Sequence, residues 1–182
     1  MTARIDPMTL ETAPEQSKPA LIHLQGMFGR IPALFATIAH SPGALTSLLT
    51  WDHALVHGAL SPREVEQLNL HVSELNGCGY CLAAHQGLAR HAGMSAEDVD
   101  RARAGVGEGP RADALLALAR RVVRTGGARA GTEVARAREA GVSDAAIIDA
   151  LAVIALKTFT NAVALVAQTL VDLPKVARSP QD

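Results

Sequence analysis

Both cysteines of the 182-residue chain fall in one short segment, Glu74-Leu-Asn-Gly-Cys78-Gly-Tyr-Cys81-Leu-Ala-Ala-His85, which reads C-x-x-C-x-x-x-H. Two cysteines scattered at random through such a length would stand three apart only about 1% of the time, so the spacing asks for a cause. If Cys78 opens a helix, Cys81 lies one turn on and His85 a further turn, and all three share a face. That spacing keeps the Cα atoms within the ~4.4 to 6.8 Å a disulfide can span, so the pair can cycle between dithiol and disulfide. The thiolate is the reactive form, and a thiol with its usual pKa near ~8.5 is mostly protonated at neutral pH. A helix N-terminus contributes roughly 0.3 to 1 kcal/mol, less than the ~1.4 kcal/mol that lowers a pKa by one. His85 is therefore expected to do most of the activation, taking the Cys81 proton directly or through a water. An imidazole in that role needs a carboxylate or carbonyl to orient it, and Glu66 and Glu74 are the candidates.

Rival chemistries use the same residues. Zinc could take Cys78, Cys81 and His85, with His71 or His91 recruited as the fourth ligand, but no second C-x-x-C accompanies the first. A thioredoxin-type site would need βαβ patterning around the motif, and inert buried thiols need nothing more. His53 and His57 stand at i, i+4, a metal-binding spacing that no nearby carboxylate completes. His23 and His40 read as surface or core residues. Glu66 by itself reads as a solvated helix charge, Glu74 as a helix-end residue and Tyr80 as a packing aromatic. Lys157 and Asn161 either line the site or satisfy an interface.

These side chains must be held by helices. The chain has 34 Ala and 22 Leu, together 56 of its 182 residues, against one Trp, one Tyr and three Phe, a composition that favours helix over sheet. Residues 1–13 mix Thr, Pro and charge without a period and form a loosely held lead-in, and one domain is expected over 14–178. Leu21, Leu24 and Phe28 recur at helical spacing until Gly29-Arg30-Ile31-Pro32, and Pro32 starts a short second helix. Ser41-Pro42 opens a third, with Leu45, Leu48, Leu49, Ala54 and Leu55 on its apolar face. Ser61-Pro62-Arg63-Glu64 is a capping box, and Val65, Leu68, Val72 and Leu75 form the buried stripe of the helix it starts. A helix from about Cys78 to His91 follows, and Ser95 to Asp98 restarts with a second box. Two more helices lie at 112–125 and 132–140. The last, capped by Ser143, runs from Asp144 to Leu170 and is apolar nearly all round. Asp149, Lys157, Thr158, Thr160 and Asn161 interrupt it, so it is expected to be a core or subunit-interface helix rather than a membrane span. The fold reading is all-α.

Lys and Arg number 17 against 18 Asp and Glu, a formal net charge of -1. That balance argues against a nucleic-acid or anionic-membrane footprint. Two cysteines exclude a disulfide-stapled scaffold, and Met1 to Pro19 has no apolar h-region, so a cytoplasmic protein is expected.

The stretch from Leu60 to Glu66, followed by Ser73 to His85, resembles the core of AhpD-like alkylhydroperoxidases, within the carboxymuconolactone decarboxylase superfamily. The motif match covers about 25 residues. Phe28-Gly-Arg-Ile-Pro32 and His40-Ser-Pro-Gly43 are similar to the peroxidase-related branch, and extend the resemblance over most of the chain. It implies an all-α fold, trimers or hexamers, no metal or organic cofactor, and reduction of organic hydroperoxides by the cysteine pair, reset by an external dithiol or a thioredoxin-like reductant. By that resemblance Cys81 attacks the peroxide, Cys78 closes the disulfide and His85 is the relay histidine. Glu66, twelve positions before Cys78, matches the relay glutamate better than Glu74 does. The position before the second cysteine, a histidine in some members, is Tyr80 here, so the relay is either shorter or uses a phenol. A lactone-directed lyase and a redox-sensing or metal-binding helical module are the alternative functions.

Overall fold

The computed structural model describes residues 2–172; the last part of the expected domain, up to 178, lies outside them. A 3-10 turn at Glu15–Ser17 leads into α1 (Lys18–Phe28), α2 (Ala33–Ile38), α3 (Pro42–Leu55), α4 (Pro62–Leu75), α5 (Gly79–His91), α6 (Ala96–Ala104), α7 (Pro110–Thr125), α8 (Gly131–Glu139) and α9 (Asp144–Ala167). The described residues contain no strand, and the fold is all-α.

Local chemistry fixes these boundaries. At the start of α4 the Ser61 hydroxyl accepts the Glu64 N–H while the Glu64 carboxylate accepts the Ser61 N–H at 2.8 Å, so two otherwise orphaned donors are paired. Ser95 and Asp98 repeat the arrangement at α6. Gly105 ends α6 at φ 79°, and a Cβ there would come within 2.6 Å of the His71 ring. Both the left-handed backbone and the close approach therefore require glycine.

Helix α4 lies at the centre, packed by α5, α6, α7 and α9, while α9 also meets α2, α3 and α8. One apolar cluster joins Leu68 and Val72 of α4 to Leu115, Leu116 and Leu118 of α7 and Ile147, Val153 and Ile154 of α9. A second joins Leu21, Leu24, Leu34, Ile38, Leu45 and Leu48 to Leu156 and Ala164, and it encloses Cys78, Tyr80 and Cys81. Helix α9 thus runs through both clusters. Its length and composition would suit a membrane span, yet half of its most apolar window is buried inside the protein, as a core helix requires. Residues 4–8 lie along the same region: the Arg4 and Ile5 N–H groups donate to Ala167 O, and the Met8 N–H donates to Ala36 O.

Two sequence expectations change. Phe28 and Ala54, placed on apolar faces by periodicity, are exposed. Helix α4 buries far more than one stripe: Gln67, Asn69, His71, Ser73 and Glu74 are buried along with Leu68, Leu70 and Val72. A helix with neighbours on all sides has no solvated face, so its polar residues must find partners inside.

Candidate active site

The turn between α4 and α5 delivers the cysteines. Gly77, at φ 68°, donates its N–H to Glu74 O, and the Cys78 N–H donates to Ser73 O at 2.9 Å. This is the Schellman arrangement, which closes α4 and leaves Cys78 as the cap of the next helix. The Cys78 Sγ accepts the Cys81 N–H at 3.4 Å, and the two sulfurs stand 2.8 Å apart as free thiols. Both are buried.

Glu66 projects from α4 and His85 from α5, with His85 Nδ1 to Glu66 Oε2 at 2.8 Å and both side chains 12% exposed. A carboxylate only accepts, so Nδ1 carries the hydrogen and the Nε2 lone pair is free to accept. Its donor is the ammonium of Lys157, which enters from α9 and contacts His85 Nε2 directly. Burial would raise the Glu66 pKa, but the pull of His85, Lys157 and the Asn69 side chain outweighs it and holds the carboxyl below its ordinary value.

The electrostatics separate the two sulfurs. The hydrogen bond from the Cys81 thiol pulls the Cys78 pKa down to about 7 against the opposing effect of burial, helped by the Cys81 N–H, the charge of Lys157 and the Asn161 side chain. Cys81 is pushed up, chiefly by its bond to Cys78 and then by burial, despite Lys157 and Asn161. Both effects favour Cys78, the sulfur at the positive end of α5, as the more acidic of the two.

Cys78, Cys81, His85 and Glu66 thus converge, with one qualification. His85 hydrogen-bonds Glu66 and Lys157 rather than either sulfur, so the expected direct histidine-to-thiol contact is not made and Lys157 is the partner of Nε2. Glu74 is committed elsewhere, accepting from Arg103 Nε at 2.8 Å in a buried ion pair. Tyr80 faces α2: its hydroxyl accepts the Leu34 N–H and bonds the Asp172 carboxylate, and burial leads the effects that raise its pKa. His71 meets Arg103 O, His91 meets Gly87 O, and the His53 and His57 rings meet edge to face with centroids 5.2 Å apart. Among the described residues, no three His, Cys, Asp or Glu side chains group in a way that could hold a metal ion.

Sequence reasoning left Lys157 and Asn161 without a place. Asn161 donates from Nδ2 to Ser73 Oγ at 3.2 Å, and its Oδ1 is buried with no partner. The signal was polar residues inside an apolar helix, which marks where α9 faces the site. Beside Glu66 lies an apolar pocket of about 270 Å³, lined by Val56, Leu60, Pro62, Val65, Leu88, His91 and Ala92.

Among the described residues nine α-helices hold a buried dithiol together with a glutamate–histidine pair, an all-α class of fold. Residues 42–121 match the model of the carboxymuconolactone decarboxylase family. The fold is that of the AhpD core of an uncharacterized peroxidase-related protein from Ralstonia eutropha JMP134 (23% identity, TM-score 0.83, covering 93% of this chain and 92% of that one). A peroxidase-related protein from Silicibacter sp. TM1040 is similar (21% identity, TM-score 0.78, 91% of each chain). So is the debrominase Bmp8, solved as a cysteine-to-alanine variant in complex with 2,3,4-tribromopyrrole (16% identity, TM-score 0.78, 94% and 93%). No curated protein sequence matches. The match to the carboxymuconolactone decarboxylase family model spans residues 42–121, and the likeness to the solved AhpD-type and peroxidase-related proteins is one of fold over nearly the whole chain.

Proposed function

We propose that the protein is a thiol-dependent peroxidase that reduces organic hydroperoxides. The observation that carries this reading is the pair of free thiols 2.8 Å apart at the start of α5, with the Cys81 N–H directed at the Cys78 sulfur. A thiolate of the pair attacks the distal peroxide oxygen, the O–O bond breaks, and the alcohol leaves. The resulting sulfenic acid is closed by the second thiol, releasing water and forming the Cys78–Cys81 disulfide. The resemblance implied Cys81 as the attacking sulfur; the charge distribution favours Cys78, with Cys81 as the resolving thiol. Glu66 and His85 order the proton-handling side of the site. The pocket beside Glu66 suits the apolar part of an organic hydroperoxide.

An external dithiol or thioredoxin-like protein would reset the disulfide, which suits a reducing, cytoplasmic setting. Exposed Ile148, Phe159 and Val166 lie on one stripe of α9, which supports a symmetric homo-oligomer. The test is turnover of cumene hydroperoxide with dithiothreitol as donor, alongside thiol counting. Loss of both thiols for each hydroperoxide reduced is expected, and thiols that survive excess hydroperoxide would overturn the reading.

The likeness to Bmp8 supports a second reading, reductive dehalogenation. The same dithiol supplies two electrons, so an aryl bromide becomes the arene and bromide as the disulfide forms. Bromide release from tribromopyrrole, with no hydroperoxide turnover, would select it. A lyase would keep its activity after complete alkylation of Cys78 and Cys81.

A further inference from the structure

Lys157 carries a charge that neither the cysteine motif nor the Glu66–His85 pair explains. Its side chain is 5% exposed, its ammonium donates to His85 Nε2, and its charge acts on both sulfurs and on Glu66. A buried ammonium is strongly unfavourable unless opposite charge faces it. The groups facing it are Glu66 of α4, reached through the imidazole, and His85, Cys78 and Cys81 of α5. His85 turns its Nε2 to that ammonium and its Nδ1 to Glu66, so the imidazole fixes where the ammonium sits.

We propose that Lys157 is the counter-ion of the resting thiolate and the acid that protonates the departing alkoxide, with His85 and Glu66 as the residues that position it. This rests on the peroxidase reading and adds to it the source of charge and proton. The cycle closes. The Cys78 thiolate attacks the oxygen that bears hydrogen, forming the S–O bond as O–O breaks, and the alkoxide takes a proton from the ammonium. The neutral amine accepts the Cys81 proton as that sulfur attacks the sulfenic acid, and returns it to the hydroxide that leaves as water. When a dithiol reduces the disulfide, one of the two thiols released gives its proton to the amine, which restores thiolate and ammonium. One turn further along α9, Asn161 presents an amide hydrogen to both sulfurs and leaves Oδ1 buried without a donor.

The test is the pH profile of iodoacetamide alkylation, each rate taken relative to its alkaline plateau, in Lys157→Met and Lys157→Arg. At neutral pH the Met variant is expected to fall about fivefold, as a rise of one in a thiol pKa of about 7 requires, while Arg stays close to wild type. A wild-type profile in Lys157→Met overturns the proposal. Should the Met variant not fold, the wild-type protein decides. The Lys157 side-chain nitrogen resonance must move over the pH range in which thiolate absorbance appears, and again when the disulfide forms; no movement overturns it. If Lys157→Met changes the profile while wild type reduces no hydroperoxide, the peroxidase reading fails and the counter-ion stands. If wild type turns over hydroperoxide and Lys157→Met alkylates like it, the counter-ion fails alone.

Discussion

The family resemblance points to Cys81 and the α5 cap to Cys78 as the sulfur that carries the charge, and removing either one tests which it is. Bringing Cys78 down to about 7 corresponds to roughly 3 kcal/mol of preferential stabilisation of the thiolate. Hydrogen bonds to charged groups are worth roughly 1.5 to 3 kcal/mol, and a thiol is a weak donor, so the Cys81 S–H is expected to supply about half of it. Cys81→Ala should then return Cys78 to a pKa near ~8 and cut the ionised fraction at neutral pH from about a half to about a tenth. The alkylation rate at pH ~7, relative to its alkaline plateau, should drop about fivefold. Cys81→Ser keeps a donor at that position and should stay near wild type. Cys78→Ala leaves Cys81 buried without the capping position, and its relative rate at neutral pH should fall about twentyfold or more. If instead Cys78→Ala alkylates like wild type and Cys81→Ala does not, the charge rests on Cys81 and the reasoning from the α5 cap is refuted.

Glu74→Ala leaves Arg103 with Asp100 at 3.6 Å and should destabilise the protein by about 2 to 3 kcal/mol in urea. Its alkylation profile should match wild type; a shifted profile would return Glu74 to the site. Tyr80→Phe strips the Leu34 N–H of its acceptor and should cost about 1 kcal/mol, with hydroperoxide turnover unchanged. A loss of turnover would make the phenol a proton carrier. Glu66 holds its proton less tightly folded than unfolded, so its contribution is complete above its ordinary value of about 4.5 and is lost as pH falls through the lower folded value. Glu66→Gln should therefore flatten the acid limb of the stability curve, and an unchanged limb would show that the carboxylate is not held by His85.

The elements were legible because their ends carry local chemistry. Ser61 with Glu64, Ser95 with Asp98 and Ser143 mark starts that depend on contacts three residues apart. Cys78, Cys81 and His85 were legible for the same reason. The burial of Gln67, Asn69 and Ser73 was not, since periodicity reports one apolar face and says nothing of a helix enclosed by four neighbours. Lys157 and His85 are 72 residues apart in the chain, and no short-range pattern links them. The charge difference between Cys78 and Cys81 was illegible for another reason: it depends on which sulfur receives the Cys81 amide.

Helix α9 brings Lys157 and Asn161 to thiols that lie in a segment made far earlier. As the polypeptide leaves the ribosome, the C-x-x-C turn emerges well before its cation and its amide. Until α9 packs across the two apolar clusters, the sulfurs have only the local α5 cap acting on them and lack the charge of Lys157 and the amide of Asn161. Docking of that helix therefore completes a site that the cap begins, and couples the chemistry of the thiols to the closing of the core.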